Sequence, residues 1–107
     1  MNTKNVKLVV FVPLSHCDIV RQALSEAGAG KIGNYDFCSF SSRGIGRFRG
    51  NENSNPNIGE SGKYESVEEE RIEVVLPREI LSSVIKKIKG VHPYEEVAFD
   101  VYPLEDL

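Results

Sequence analysis

The 107-residue chain has no tryptophan, one methionine and only two cysteines and two histidines. Two cysteines cannot staple a small secreted fold, so a reducing cytoplasm is the expected compartment. His16 and His92 lie in opposite halves of the sequence, which leaves little material for a multi-ligand metal centre. A large excess of one charge is also missing. Thirteen Lys and Arg face sixteen Asp and Glu, a net charge of −3, which argues against a generally basic nucleic-acid binder. No apolar run approaches the roughly 18 residues of a membrane span, so no membrane partner is expected. Met1 to Asn5 leads straight into a strand-like run without the apolar core of a signal peptide. The rest is ordinary. Hydrophobic content of 40% and charged content of 27% suit one compact domain over residues 1–107 with one modest core.

Lys7 to Val12 is an almost unbroken apolar, mostly β-branched run that ends at Pro13, which reads as a central strand. A helix should follow, with Ser15 as its N-cap, Asp18 three residues on, and Leu14 and Ile19 as a hydrophobic staple. Ile19, Val20, Ala23, Leu24 and Ala27 recur on one helical face, and Gly28 is a natural stop. The glycines at 28, 30 and 33 suggest a tight turn. A phosphate cradle is the weaker reading, because no helix N-terminus follows them.

Tyr35 to Ser42 alternates aromatic or sulfur-bearing residues with small polar ones, as a second strand does, and Arg43 to Gly50 extends it as an exposed ribbon. Residues 51–57 are polar loop. The whole segment 43–63 lacks the apolar content to order itself and is expected to be flexible. A third strand runs from Ser66 to Leu76, with Ile72, Val74 and Leu76 on one face. Glu68, Glu69 and Glu70 at its start read as a solvated edge. Pro77 opens a second helix whose stripe is Ile80, Leu81, Val84, Ile85 and Ile88, with lysines in its last turns and Gly90 as its stop. A final strand covers Val97 to Tyr102.

The order βαββαβ, with two one-sided helices, predicts an α+β, ferredoxin-like domain: an antiparallel sheet with both helices on one face. Phe37, Cys38, Phe40, Phe99 and Tyr102 supply apolar material for the open face, so self-association is expected.

Several stretches resemble the domain inserted in many bacterial Nif-three-like proteins. They are Lys7–Pro13, Glu26–Gly30, Ile32–Tyr35, Cys38–Ser41, Asn55-Pro56 with Ile58–Glu60, Arg71–Glu73 and His92–Ala98. His92-Pro93-Tyr94-Glu95 is also similar to the motif near the end of CutA-type divalent-ion-tolerance proteins, which are trimeric, ferredoxin-like and related to PII signalling proteins. The resemblance implies a CutA/PII-like fold and a homo-oligomer, with a trimer favoured. The two-metal site of Nif-three-like proteins belongs to flanking halves rich in His and Glu motifs. A dimetal hydrolase needs several ligands around ions about 3.5–4 Å apart, so hydrolase activity is not transferred.

His92, Glu95 and Glu96 are the densest set of metal-ligand types, suited to zinc or copper. The set is one histidine short of H-x-x-E-H, and Pro93 excludes a helix that would align it. The simpler reading is a turn in which His92 caps backbone and Tyr94 packs. Cys17, at a helix start, and Cys38 are read as small hydrophobes rather than reactive thiols, and no catalytic triad is supported. Asn57 to Tyr64 nearly spells a P-loop but lacks its first glycine and its final Ser or Thr. Arg43, Arg47 and Arg49, with Phe48 among them, can track phosphates, recognise a small anion, or merely balance Glu68–Glu70. The resulting expectation is a non-catalytic, oligomeric ligand- or partner-binding module. Arg43, Arg47, Arg49 and Tyr94 are its contact residues, no cofactor is fixed, a zinc or copper ion being the candidate, and the rivals are divalent-metal binding at His92 with Glu95 and Glu96 and anion or nucleic-acid binding at the arginines.

Overall fold

The computed structural model describes residues 4–56 and 59–107. Four strands form one sheet in the order β2-β3-β1-β4, where β1 is Asn5–Pro13, β2 Phe40–Arg49, β3 Tyr64–Pro77 and β4 Phe99–Pro103. Every neighbouring pair is antiparallel. Helices α1 (Cys17–Glu26) and α2 (Leu81–Val91) follow β1 and β3. This is the ferredoxin-like arrangement expected from the element order.

The period-two alternation of β1 decides which face carries the core. Val6, Leu8, Val10 and Val12 point to the helices and are fully buried with Ile72, Val74 and Leu76 of β3. Val20 and Leu24 of α1 and Val84 and Ile88 of α2 close the cluster from above, so both helices lie on one face. Val9 points the other way and is also buried, in keeping with a central strand. Ile19, expected in the α1 stripe, is 50% exposed because it sits at the margin of the apolar arc. The open face carries exposed Phe40 and Tyr102, whereas Phe99 packs against the helix-side core.

Several local expectations are corrected. Pro13 and Pro77, both extended, each open a one-turn 3₁₀ helix (Leu14–His16 and Arg78–Ile80) before the α-helix proper. Ser15 therefore caps nothing, and its hydroxyl pairs with His16 Nδ1 at 2.7 Å. Gly90 lies inside α2. The helix stops at Val91 because Pro93 holds His92 extended, at φ −76° and ψ 137°. Tyr35 to Ser39 is not strand. There the chain doubles back, with Gly30 N–H donating to Val75 O and Cys38 N–H donating to Gly30 O. Gly30 has φ +81°, and a Cβ on it would stand 2.4 Å from Cys38 O, so the glycine-rich turn is structural.

Residues 43–49, expected in a flexible loop, are strand. Arg43 pairs with Glu70, and the pairing runs on to Arg49 opposite Tyr64. The connection between β2 and β3 is thus 50–63. Of the P-loop look-alike, Asn57 and Ile58 lie outside the described residues, as do Met1 to Thr3. Nor are Glu69 and Glu70 an edge, since they pair with β1 on one side and β2 on the other, whereas Glu68 pairs with β2 alone. No helix of the described residues is long and apolar enough to cross a membrane.

Candidate functional site

His92 is 7% exposed, and both of its ring nitrogens are engaged. Nε2–H donates to Phe11 O at 2.8 Å, and Nδ1 accepts the Tyr94 N–H at 3.1 Å. These two bonds fix the neutral Nε2–H tautomer. Burial lowers the His92 pKa, partly offset by the Phe11 bond and the Glu69 charge. The imidazole therefore works as a clamp, tying the α2–β4 connection to β1 beside the Phe11 N–H to Ala98 O bond.

Tyr94 is what the clamp positions. Its ring stands 4.9 Å from that of His92 and 6.1 Å from that of Phe48. Its hydroxyl donates to Glu69 Oε2 at 2.7 Å. Burial, then that carboxylate, pushes the phenol pKa well above its ordinary value, so Tyr94 is a neutral donor. Glu69 is 8% exposed and faces Gly44 and Gly46 on β2. A Cβ at Gly46 would sit 2.2 Å from Glu69 Oε1, so only glycine lets the carboxylate lie across the ribbon. Glu95 Oε2 accepts the Asn55 N–H at 3.0 Å and draws the 50–56 connection to the same corner. A cavity of about 310 Å³ opens here, lined by residues 46–50 of β2 and its end, by Ser54 and Pro56, and by Glu69, Tyr94, Glu95, Glu96 and Ala98.

The metal-ligand set is not gathered. Among the described residues no three His, Cys, Asp or Glu side chains form a group that could hold a metal ion. His92 spends both nitrogens on backbone, and Glu95 turns to Asn55. Cys17 is buried, with its thiol directed at Pro13 O, and desolvation raises its pKa, the opposite of an activated nucleophile. Cys38 is half-buried.

The arginines occupy the other side of the ribbon. Pleating puts Arg43, Arg47 and Arg49 on the helix-side face and Gly44, Gly46 and Phe48 on the face of Tyr94. Arg49 donates to Gly62 O and lies 5.7 Å from the Tyr64 ring centroid. The register sets Arg43 directly opposite Glu70, but no ion pair joins Arg43, Arg47 or Arg49 to Glu68–Glu70 among the described residues. Glu70 pairs with Arg21, and Glu69 takes the Tyr94 hydroxyl. Glu69, Gly46 and the inward side of Phe48 are the site residues that sequence reasoning missed. The available signal was two glycines alternating with arginines on a strand, a sign of close approach on one face.

No protein-family model matches the chain. A curated protein of Halalkalibacterium halodurans, described as a GTP cyclohydrolase 1 type 2 homolog, is 51% identical over 98 residues, which make up 92% of this chain and 26% of that protein. The crystal structure of a Bacillus cereus protein related to NIF3 has a TM-score of 0.81 at 48% identity, covering 99% of this chain and 27% of the other. CutA1 from the psychrotrophic bacterium Shewanella sp. SIB1 has a TM-score of 0.73 at 13% identity, covering 99% of this chain and 86% of the other, a likeness of fold alone. The chain spans about a quarter of the length of the NIF3-type relatives it matches. It therefore matches one segment of the NIF3-related family, the GTP cyclohydrolase 1 type 2 homologs, and that segment has a CutA-like fold.

Proposed function

We propose that the chain is a non-catalytic, cytoplasmic, oligomeric module that binds a small ligand or a protein partner, in the manner of a regulatory or assembly domain. The observation that carries this reading is the Tyr94 corner. A buried clamp, a tyrosine and a glycine-bordered carboxylate frame a cavity, and the tyrosine is a neutral phenol whose proton is spent on Glu69 and whose pKa lies well above its ordinary value. Such a construction suits holding a ligand in place. The activity implied by the relatives' description is not carried over, because only about a quarter of their length is matched.

Assembly is the second half of the proposal. Phe40 and Tyr102 are exposed on the sheet face that no helix covers, and a homotrimer would cover them. Native mass spectrometry of the protein as purified reports stoichiometry and retained ligand together. Sedimentation equilibrium is expected to give a trimer, and a monomer of 11.9 kDa throughout the micromolar range would remove the assembly half.

A second reading, anion or nucleic-acid binding, draws on Arg43 and Arg47. Both are exposed on one face and have no ion pair among the described residues. Planar guanidinium forks so placed suit phosphate or carboxylate groups.

A further inference from the structure

We propose that the cavity at the Tyr94 corner takes the cationic head of a slender organic cation, a guanidinium or primary ammonium on a short apolar stem. The inference rests on the ligand-binding reading above and names the class of ligand.

Three carboxylates, those of Glu69, Glu95 and Glu96, line the cavity. Arg47 and Arg49 line it too, but strand pleating sends their side chains out from the opposite face of the ribbon. Arg71, two residues along β3 from Glu69, is engaged by Glu73 and by the Phe11 ring. Glu69 is more than nine-tenths buried. Its Oε2 has one neutral donor, the Tyr94 hydroxyl, and among the described residues no donor or cation is bonded to Oε1. No side-chain oxygen among the described residues is both sealed from solvent and unpaired, so Oε1 stays within reach of a solute, while the rest of the carboxylate is shielded from water. A ligand cation would supply the missing partner through a charge-assisted hydrogen bond.

The walls suit the same ligand. Phe48 and Tyr94 present two tilted rings to the cavity, and aromatic faces attract cations and cover apolar stems. A volume of about 310 Å³ is at the small end of the range for organic ligands. The missing Gly46 side chain leaves the room in which Oε1 lies, and Gly46 itself lines the cavity.

The test is a titration of the full chain, followed by amide NMR, with n-butylguanidinium, n-butylammonium, the neutral isostere n-butylurea and the anion valerate. Saturable shifts at Phe48, Glu69 and Tyr94 with the two cations alone are expected. Glu69→Gln keeps an acceptor for the Tyr94 hydroxyl and should weaken cation binding about tenfold, the difference between a charged and a neutral partner. Unchanged affinity in Glu69→Gln would overturn the inference. Equal binding of n-butylurea or valerate would overturn it while leaving a ligand-binding cavity. Absence of shifts at these residues with all four probes would remove both the inference and the reading beneath it. Should Glu69→Gln lower the melting temperature, Phe48→Leu provides the second test. It removes an aromatic face of the same cavity without touching the carboxylate, and cation affinity that does not fall would again overturn the proposal.

Discussion

His92→Ala is the sharpest probe of how the site is held. The substitution removes the Phe11 and Tyr94 bonds at a position only 7% exposed. At about 1 kcal/mol net for each hydrogen bond, the expected loss at pH 8 is about 2 kcal/mol, a sizeable part of a typical domain stability of about 5–15 kcal/mol. That corresponds to a fall in melting temperature of about 8–16 °C for a domain near this size. The chain has no tryptophan, so urea melts should be followed by far-UV circular dichroism or by the four tyrosines.

The pH dependence carries the stronger test. Burial lowers the folded His92 pKa, whereas the unfolded imidazole titrates near about 6.5. Between these two values the unfolded chain binds the extra proton, so stability rises with pH there. The contribution is complete above the unfolded pKa and is lost as pH falls from about 6.5 toward the lowered folded value, with a slope of at most about 1.4 kcal/mol per pH unit. Charging the ring would also set an Nδ1–H against the Tyr94 N–H. Alanine cannot titrate, so the gap between wild type and variant should be widest at pH 8 and should narrow below pH 6.5. Other titrating groups are common to both proteins and cancel. A gap that stays constant or widens on acidification would show that burial does not control this histidine.

Zinc or copper should raise the melting temperature of the wild type and not of His92→Ala only if the ring gives up its backbone partners. The geometry predicts instead no difference in metal response between the two proteins, and a rise abolished by His92→Ala in thermal melts would restore a metal site at His92, Glu95 and Glu96. Replacing Arg43, Arg47 and Arg49 by Ser should change stability by no more than about 0.5 kcal/mol for each of Arg43 and Arg47 and about 1 kcal/mol for Arg49, which loses its bond to Gly62 O, in urea melts. It should also weaken binding of a polyphosphate probe at low salt, and equal binding by the triple variant would end the anion reading. Gly30→Ala should cost about 1–3 kcal/mol, because a left-handed φ is combined with a Cβ 2.4 Å from Cys38 O. Gly44→Ala, with nothing near its Cβ, is the control, and equal urea midpoints for the two variants would refute the close-approach argument.

The core was legible because its signals are local. Alternation along Lys7–Val12 and the repeated spacings of two amphipathic helices each need only one segment to be read. Element ends were less legible wherever a competing residue won. Pro13 set up a 3₁₀ turn that overrode the Ser15 cap, and Pro93 ended α2 past Gly90. The candidate site was the least legible part because it depends on register. His92 and Tyr94 stand out in the sequence, but their partners Phe11, Glu69 and Phe48 come from three other strands. Glu69 is one of three consecutive glutamates, and composition cannot separate it from its neighbours. Pairing does so. With Gly44 opposite and Gly46 diagonal to it, Glu69 is the glutamate whose carboxylate meets no intervening β2 side chain, while Glu70 faces the other way toward Arg21. A shift of one residue in the β2–β3 register would exchange those environments, placing the arginines over the Tyr94 corner and the glycines over the helices. The chemistry of the corner is therefore a property of the register, and Gly46, whose missing Cβ leaves the room that the Glu69 carboxylate occupies, is as much a part of the site as the side chains that line it.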